Sequence, residues 1–372
     1  MKLLIVSTAP LIYREDKSYA YSPYVNELII LNKFSDEIFF CCPEWKKDNG
    51  LLVSEIPFDF KTHFKLIDSN LNSLSNALKS IFQSMYNIVV LIRAMKKAEH
   101  IHLRCPGNIG LLGSLVQIFF PNKSKTVKYA GNWDPKSKQP WTYKLQQSIL
   151  KNTFLTRNMQ VLIYGEWKNV TKNIKPFFTA TYSKFDIESI EKARLNSTVE
   201  FIFVGSLVVG KNPLYAIKII DQLVKKGKNV VLNLYGEGIE RAILENYIKE
   251  FRLEKVVFLH GNQNKEIIKK AYQKSHFVVL PSKSEGWPKA IAEGMFWGCF
   301  PVATKVSCVP FMLDYGNRGI LLEMDLKKDV EKIEKILSDE NSFLTKSKLA
   351  RDWSQKYTTD VFEAEIKKLL AK

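Results

Sequence analysis

Short apolar runs alternate along the chain with longer segments of helical period. Runs at residues 2–7, 37–42, 100–104, 126–130, 160–164 and 177–181 are rich in Ile, Leu, Val and Phe and too short for helices, so they read as buried strands. Helical patterns fall between them at 24–33, 71–97, 109–120 and 141–152. The second half repeats the plan, with strands at 200–205, 230–235, 255–260, 276–280 and 300–303 and helices such as 213–226 and 239–251. Strands alternating with helices predict parallel sheets covered on both faces. The fold class is therefore α/β, with two Rossmann-like doubly wound domains facing each other across a cleft. A polar stretch at 186–197 is the expected linker, and a last helix is expected over 359–370.

The most informative stretch is Glu285-Gly286-Trp287-Pro288-Lys289-Ala290-Ile291-Ala292-Glu293, two carboxylates separated by seven residues. Apolar runs flank it at 276–281 and 300–304; Pro288 suits the first turn of a helix and Gly298 its end. This predicts a strand, a turn carrying Glu285 and Gly286, a helix carrying Glu293, and a second strand. The N-terminus of such a helix points free N–H groups into the crevice at the strand ends, where a phosphate can bind. Carboxylates beside an anion site suit the hydroxyls of a ribose and a sugar. The first strand, by contrast, is followed by Thr8-Ala9-Pro10-Leu11-Ile12-Tyr13-Arg14 and an expected long loop to Ser22-Pro23-Tyr24, with no G-x-G-x-x-G. That argues against a dinucleotide enzyme, whose pyrophosphate needs those glycines.

This element resembles the signature of the retaining GT-B glycosyltransferases, glycosyltransferase family 4 in particular. Phe203-Val204-Gly205-Ser206-Leu207 with Lys211 resembles the family's phosphate loop. Tyr235-Gly236-Glu237-Gly238 resembles the next glycine turn, Val257-Phe258-Leu259-His260-Gly261 the turn beside the base, and Leu280-Pro281-Ser282 leads into the glutamates. The resemblance is strong over residues 200–325 and only architectural before that. It implies an acceptor-binding domain over 1–190, a nucleotide-sugar-binding domain over 191–356, and a C-terminal helix over 357–372 returning to the first domain.

By the same resemblance, Glu293 accepts from ribose hydroxyls and Glu285 sits at the sugar ring. Gly205, Ser206, Gly236, Gly261, Gly286, Trp287 and Pro288 shape the donor site, and Lys211 offsets diphosphate charge as the nucleotide leaves. Glu285, Lys211 and Asp134 are the expected catalytic residues; Arg104, Asn108, Asn132 and Asp134 are the expected acceptor contacts. Each has a plainer reading: Glu293 as a helix-surface glutamate, Glu285 as a helix-dipole partner, Trp287 as core, Lys211 as a solvated loop lysine, Asp134 as a cap for the following turn, His102 as a hydrogen-bonded core histidine. The chain departs from the family pattern in three places. Ser206 stands where an arginine is usual, the glycine pair after the first strand is missing, and no histidine lies near Asp134. Either another base, such as Lys289 or Arg14, makes up the charge missing at Ser206, or transfer is slow, or the donor is handled differently.

Composition changes this picture in two ways. The 372 residues carry a net charge of +17, and residues 100–185 hold 13 Lys or Arg against two acids, Asp134 and Glu166. No RNP, zinc-finger or helix-turn-helix signature accompanies that charge, so nucleic acid is not an expected partner. An anionic membrane surface, a pyrophosphate-bearing acceptor and mere solubility all fit it. The five cysteines, Cys41, Cys42, Cys105, Cys299 and Cys308, show no C-x-x-C pair and read as buried thiols of a reducing compartment. No apolar run reaches the ~18 residues of a membrane helix, and Leu3-Leu4-Ile5-Val6 is too short for a signal-peptide core. The expectation is a cytoplasmic enzyme, peripheral on the inner face of the membrane, with no metal and no cofactor. It would use a nucleotide-diphosphate sugar, UDP favoured, and a glycan or lipid-linked acceptor. The open alternatives are a nucleotide-sugar epimerase or hydrolase of the same fold, and a catalytically weakened nucleotide-sugar-binding protein.

Overall fold

The first unit is built around the strand Lys2–Val6, whose last four residues are fully buried. In this computed structural model, which describes residues 1–48, 52–68, 74–188, 194–195 and 197–371, the chain divides into two units. The first holds Met1–Phe177 and the residues from Glu363 onward; the second is Phe178–Phe362. Residues 189–193 and 196 of the expected linker lie outside the described residues.

The parallel strands of the first unit run in the spatial order Thr62–Leu66, Glu37–Trp45, Lys2–Val6, His100–Cys105, Ser124–Tyr129, Met159–Tyr164, Ile174–Phe177. The chain thus builds outward on one side of Lys2–Val6 and then on the other, which puts a topological switch point between Lys2–Val6 and His100–Cys105. The expected long loop after the first strand is instead an antiparallel hairpin, Leu11–Arg14 with Lys17–Tyr21, joined by Val53–Glu55. Leu11, Ile12 and Ala20 are buried, and Glu15 turns the hairpin at φ 52°. The runs are too short to show a period, so no strand signal stood out. Pro23 then lies in the first turn of the helix Ser22–Asn32.

The expected strand at 177–181 is corrected to Ile174–Phe177, and the unit boundary falls before residue 190. The reason is aromatic packing. Phe178 sits on Tyr357 and Phe362 at 4.9 and 5.9 Å between ring centroids, and Tyr182 on Phe296 and Trp297 at 4.9 and 5.0 Å, which commits this segment to the second unit. At the other end the helix Thr359–Leu370 crosses from one unit to the other, and its Glu363 takes a 2.7 Å ion pair from Lys33.

The second unit has a six-stranded parallel sheet in the order Val257–Leu259, Val230–Tyr235, Val199–Val204, Phe277–Leu280, Phe300–Thr304, Ile320–Leu322. That is the doubly wound order with its switch point between Val199–Val204 and Phe277–Leu280. All four residues of Phe277–Leu280 are buried, and Phe277 stacks on Phe201 at 4.6 Å and meets Phe343 at 5.3 Å. The helix Lys289–Phe296 lies on this strand through Gly294, where a Cβ would stand 2.6 Å from Val278 Cγ1. The fold class is α/β, two Rossmann-like doubly wound units. Replacing Gly294 with Ala should overpack the helix–strand contact and cost about 1–3 kcal/mol. Gly210→Ala, with open space around its Cβ, should leave the melting temperature unchanged; thermal denaturation of the two variants checks the contrast.

Candidate active site

At the switch point of the second unit three turns are laced together by backbone. Gly205 N donates to Tyr235 O at 2.9 Å, Gly236 N to Gly261 O at 2.8 Å, and Leu207 N to Glu237 O at 2.9 Å. Gly236 has φ 143°, and a Cβ there would collide with the Gly205 carbonyl, so the approach of the two turns requires glycine. The chain then closes a tight loop, Lys211 N donating to Val208 O at 2.9 Å, before Asn212 and Pro213 open the helix Pro213–Lys225. Lys283 N donates to Gly210 O at 2.8 Å and ties this loop to the one after Phe277–Leu280.

Side chains complete the join. Lys211 Nζ donates to Glu285 Oε1 at 2.6 Å, with Glu285 9% exposed and the lysine side chain 31% exposed. The two residues expected at the reacting centre are therefore in contact, one nearly buried and one open to solvent. Glu285 stands just ahead of the helix Lys289–Phe296, whose first bonds run from Ile291 N and Ala292 N to Pro288 O. Pro288 precedes the helix as its cap residue and does not lie in its first turn. The N–H groups of Lys289 and Ala290 precede those bonds and lie at the positive end of the helix dipole. The Lys211 ammonium, brought from 74 residues away, thus meets a carboxylate that stands just ahead of a helix N-terminus, which suits an anion with hydroxyls next to it.

Gly286 and Trp287 hold the loop. The Gly286 carbonyl accepts from Ser307 Oγ and from Cys308 Sγ, both at 3.1 Å. Trp287 is buried, stacks with Trp353 at 6.1 Å and meets Tyr357 edge-on at 5.7 Å, so its ring belongs to an aromatic core. Ser307 and Cys308 were invisible to sequence reasoning, since a side chain bonding a carbonyl about twenty residues away leaves no spacing signal.

Glu293 has other company. Its Oε1 accepts from Thr181 Oγ1 at 2.7 Å, and it lines a small recess with Thr179, Tyr182, Lys289, Phe296 and Tyr357. Burial pushes its carboxyl pKa up, opposed by the Thr181 hydrogen bond, Lys289 and a hydrogen bond from Tyr272. Ser206 is exposed and brings no charge.

Three of the expected acceptor residues of the first unit, Arg104, Asn132 and Asp134, are engaged by groups of their own unit. Arg104 donates to Glu27 Oε2 at 2.5 Å and lies over the Tyr24 ring at 4.0 Å, while Lys128, nearly fully buried, donates to Glu27 Oε1 at 2.5 Å. Glu27 thus neutralises much of the charge that Arg104 was expected to offer. Asn108 begins the helix Asn108–Val116 after Gly107. Asn132 Oδ1 accepts from Asp134 N, and Asp134 Oδ1 from Lys136 N, both at 2.9 Å, so the aspartate caps its own turn. His102 is buried and shares Thr126 Oγ1 with His100, each at 2.9 Å; burial lowers their pKa values to about 3 and about 4. Arg14 pairs with Asp48 at 2.5 Å. All five cysteines are buried and outside any disulfide, and among the described residues no three His, Cys, Asp or Glu side chains gather as a metal site.

The raised pKa of Glu293 has a defined consequence. The folded state holds this proton more tightly than the unfolded state, so stability is greatest at and below the ordinary value of 4.5 and is lost as pH rises through the folded pKa. Thermal melts over an acid-to-neutral series should show that loss in the parent, and Glu293→Gln should flatten it while keeping the bond from Thr181.

Residues 186–358 match the family model of glycosyl transferases group 1. Protein CapJ of Staphylococcus aureus is 26% identical over 303 residues, 78% of this chain and 74% of that one. Among solved structures, S. aureus TarM in complex with Fondaparinux, alpha-GlcNAc-glycerol and UDP aligns with a TM-score of 0.57 at 20% identity, over 77% of this chain. The alignment spans 59% of the TarM chain, less than two thirds of its length. Anabaena HepE in complex with UDP and glucose aligns with a TM-score of 0.68 at 13% identity, over 100% of this chain and 99% of that one. Residues 186–358 are thus similar to the group 1 glycosyl transferases, and the two Rossmann-like units are those of the GT-B fold.

Proposed function

We propose that the chain is a retaining, metal-independent hexosyltransferase that moves a sugar from a nucleotide-diphosphate sugar to a glycan or lipid-linked acceptor in cell-surface polysaccharide or glycoconjugate assembly. The observation that carries this reading is the contact of Lys211 with Glu285 beside the N-terminus of Lys289–Phe296. In the reaction the bond from the anomeric carbon to the diphosphate breaks, and negative charge grows on the departing oxygen. Lys211 and the first-turn N–H groups are the donors that meet that charge, the electrostatic contribution expected to dominate such transfers. Glu285, freed from Lys211 by the competing phosphate, accepts from a sugar hydroxyl and faces the positive character at the anomeric carbon. Glu293 takes the ribose hydroxyls by exchanging its Thr181 partner. UDP is the favoured nucleotide, supported by its presence in the TarM and HepE complexes. The acceptor side rests on the basic first unit, with the enzyme on the cytoplasmic face of an anionic membrane.

Lys211→Ala should lower kcat/KM for UDP-sugar turnover about 10²-fold, the cost of removing one donor to a developing oxyanion. Ser206→Arg, restoring a second cation, should tighten UDP about ten-fold or more. Calorimetric UDP titration and anomeric analysis of the product by NMR check both. UDP affinity unchanged in Lys211→Ala would contradict the site. A second reading is favoured by Ser206: an exposed, uncharged side chain where the family places a cation fits a weakened nucleotide-sugar binder. Tight UDP binding without turnover on any acceptor, restored by Ser206→Arg, would select it.

A further inference from the structure

We propose that the helix Leu74–Lys97, with the helices Asn108–Val116 and Trp141–Lys151 packed side by side next to it, is the surface by which the first unit lies on an anionic lipid bilayer. The long helix buries Leu91, Ala94 and Met95 in the core of its unit. Its outer side, where charge is the rule, carries Phe82, Met85, Tyr86 and Val89 at 73, 61, 48 and 46% exposure. Positions spaced by three, four and seven residues form one stripe on a helix. The adjoining helices expose Leu115, Trp141 and Leu145. Single exposed apolar residues are ordinary, but a stripe continued on neighbouring helices marks an interaction surface.

Charge names the occupant. None of the three helices contains an Asp or Glu, and residues 74–133 hold eight Lys or Arg against one acid, Glu99. Arg93, Lys96 and Lys144 are exposed on these helices. A nucleic acid would answer the charge but give Phe82, Met85 and Val89 nothing apolar to enter. A bilayer with anionic headgroups answers both, the apolar stripe entering the interface and the cations meeting the headgroups. Among the described residues no helix is long and apolar enough to cross a membrane, so the surface lies on the bilayer. This deepens the lipid-linked-acceptor reading and rests on it only for its purpose, because lipid binding is measured without donor or acceptor.

The test is flotation of the full chain with vesicles of phosphatidylcholine alone and of phosphatidylcholine mixed with phosphatidylglycerol, with UDP titration run in parallel. The parent should bind the mixed vesicles, weaken with added salt, and leave the neutral ones. Met85→Ser with Tyr86→Ser and Val89→Ser should lose about ten-fold or more in vesicle affinity. Arg93→Ala and Lys96→Ala should each lose about five-fold, all with unchanged melting temperature and UDP affinity. No binding to either vesicle, equal binding to both, a serine variant that floats like the parent, or RNA binding that survives the serine changes would each overturn the proposal. Failure here with UDP binding intact leaves the donor site standing. Loss of UDP binding in the parent with flotation intact does the reverse.

Discussion

The ion pair between Lys211 and Glu285 joins two loops that leave the sheet of the second unit from neighbouring strands, and much of the site's form follows from that join. The strands are adjacent only because the chain fills one side of Val199–Val204 before turning to the other. The backbone bond from Lys283 to Gly210 fixes the loops, and the side chains then meet at 2.6 Å. Glu285 is nearly buried, so the lysine compensates a carboxylate that would otherwise be costly to leave unpaired. Lysine remains partly in water, where the pair itself is worth little. A cation so placed can exchange its carboxylate for a phosphate at small cost, whereas a deeply buried pair could not.

The first unit repeats the doubly wound plan and treats its switch point differently. There Arg104 and Lys128 converge on Glu27, with Tyr24 beneath the guanidinium. Two cations share one carboxylate close to the core, and Asp134 and Asn132 spend their side chains on a turn. This end of the unit is held by its own polar network. Its unmatched features lie elsewhere, on helices whose outer faces are apolar and basic.

The architecture was legible because buried parallel strands are short apolar runs and the intervening helices have their own period. Phe277–Leu280 and Lys289–Phe296 follow from residues 276–298 alone, and the two glutamates take their places from that frame. What could not be read was pairing across distance. Glu27 and Arg104 are 77 residues apart, Thr181 and Glu293 112 apart, and neither pair has a local signature. The hairpin at Leu11–Tyr21 escaped because its strands are too short to show a period. The segment after Phe177 continues an apolar run, but Phe178 and Tyr182 choose aromatic partners far along the chain, which moved both a strand and a boundary. Trp287 could be read as ligand or core from sequence; Trp353 and Tyr357 decide for core.

The most direct test of the donor site is an experimental structure of the chain with UDP. The diphosphate should lie within hydrogen-bond reach of Lys211 Nζ and of the first-turn N–H groups of Lys289–Phe296, with Lys211 turned from Glu285 toward phosphate and Glu293 facing the ribose. UDP bound elsewhere, or bound with Lys211 still held on Glu285 and no contact to that helix, would contradict it.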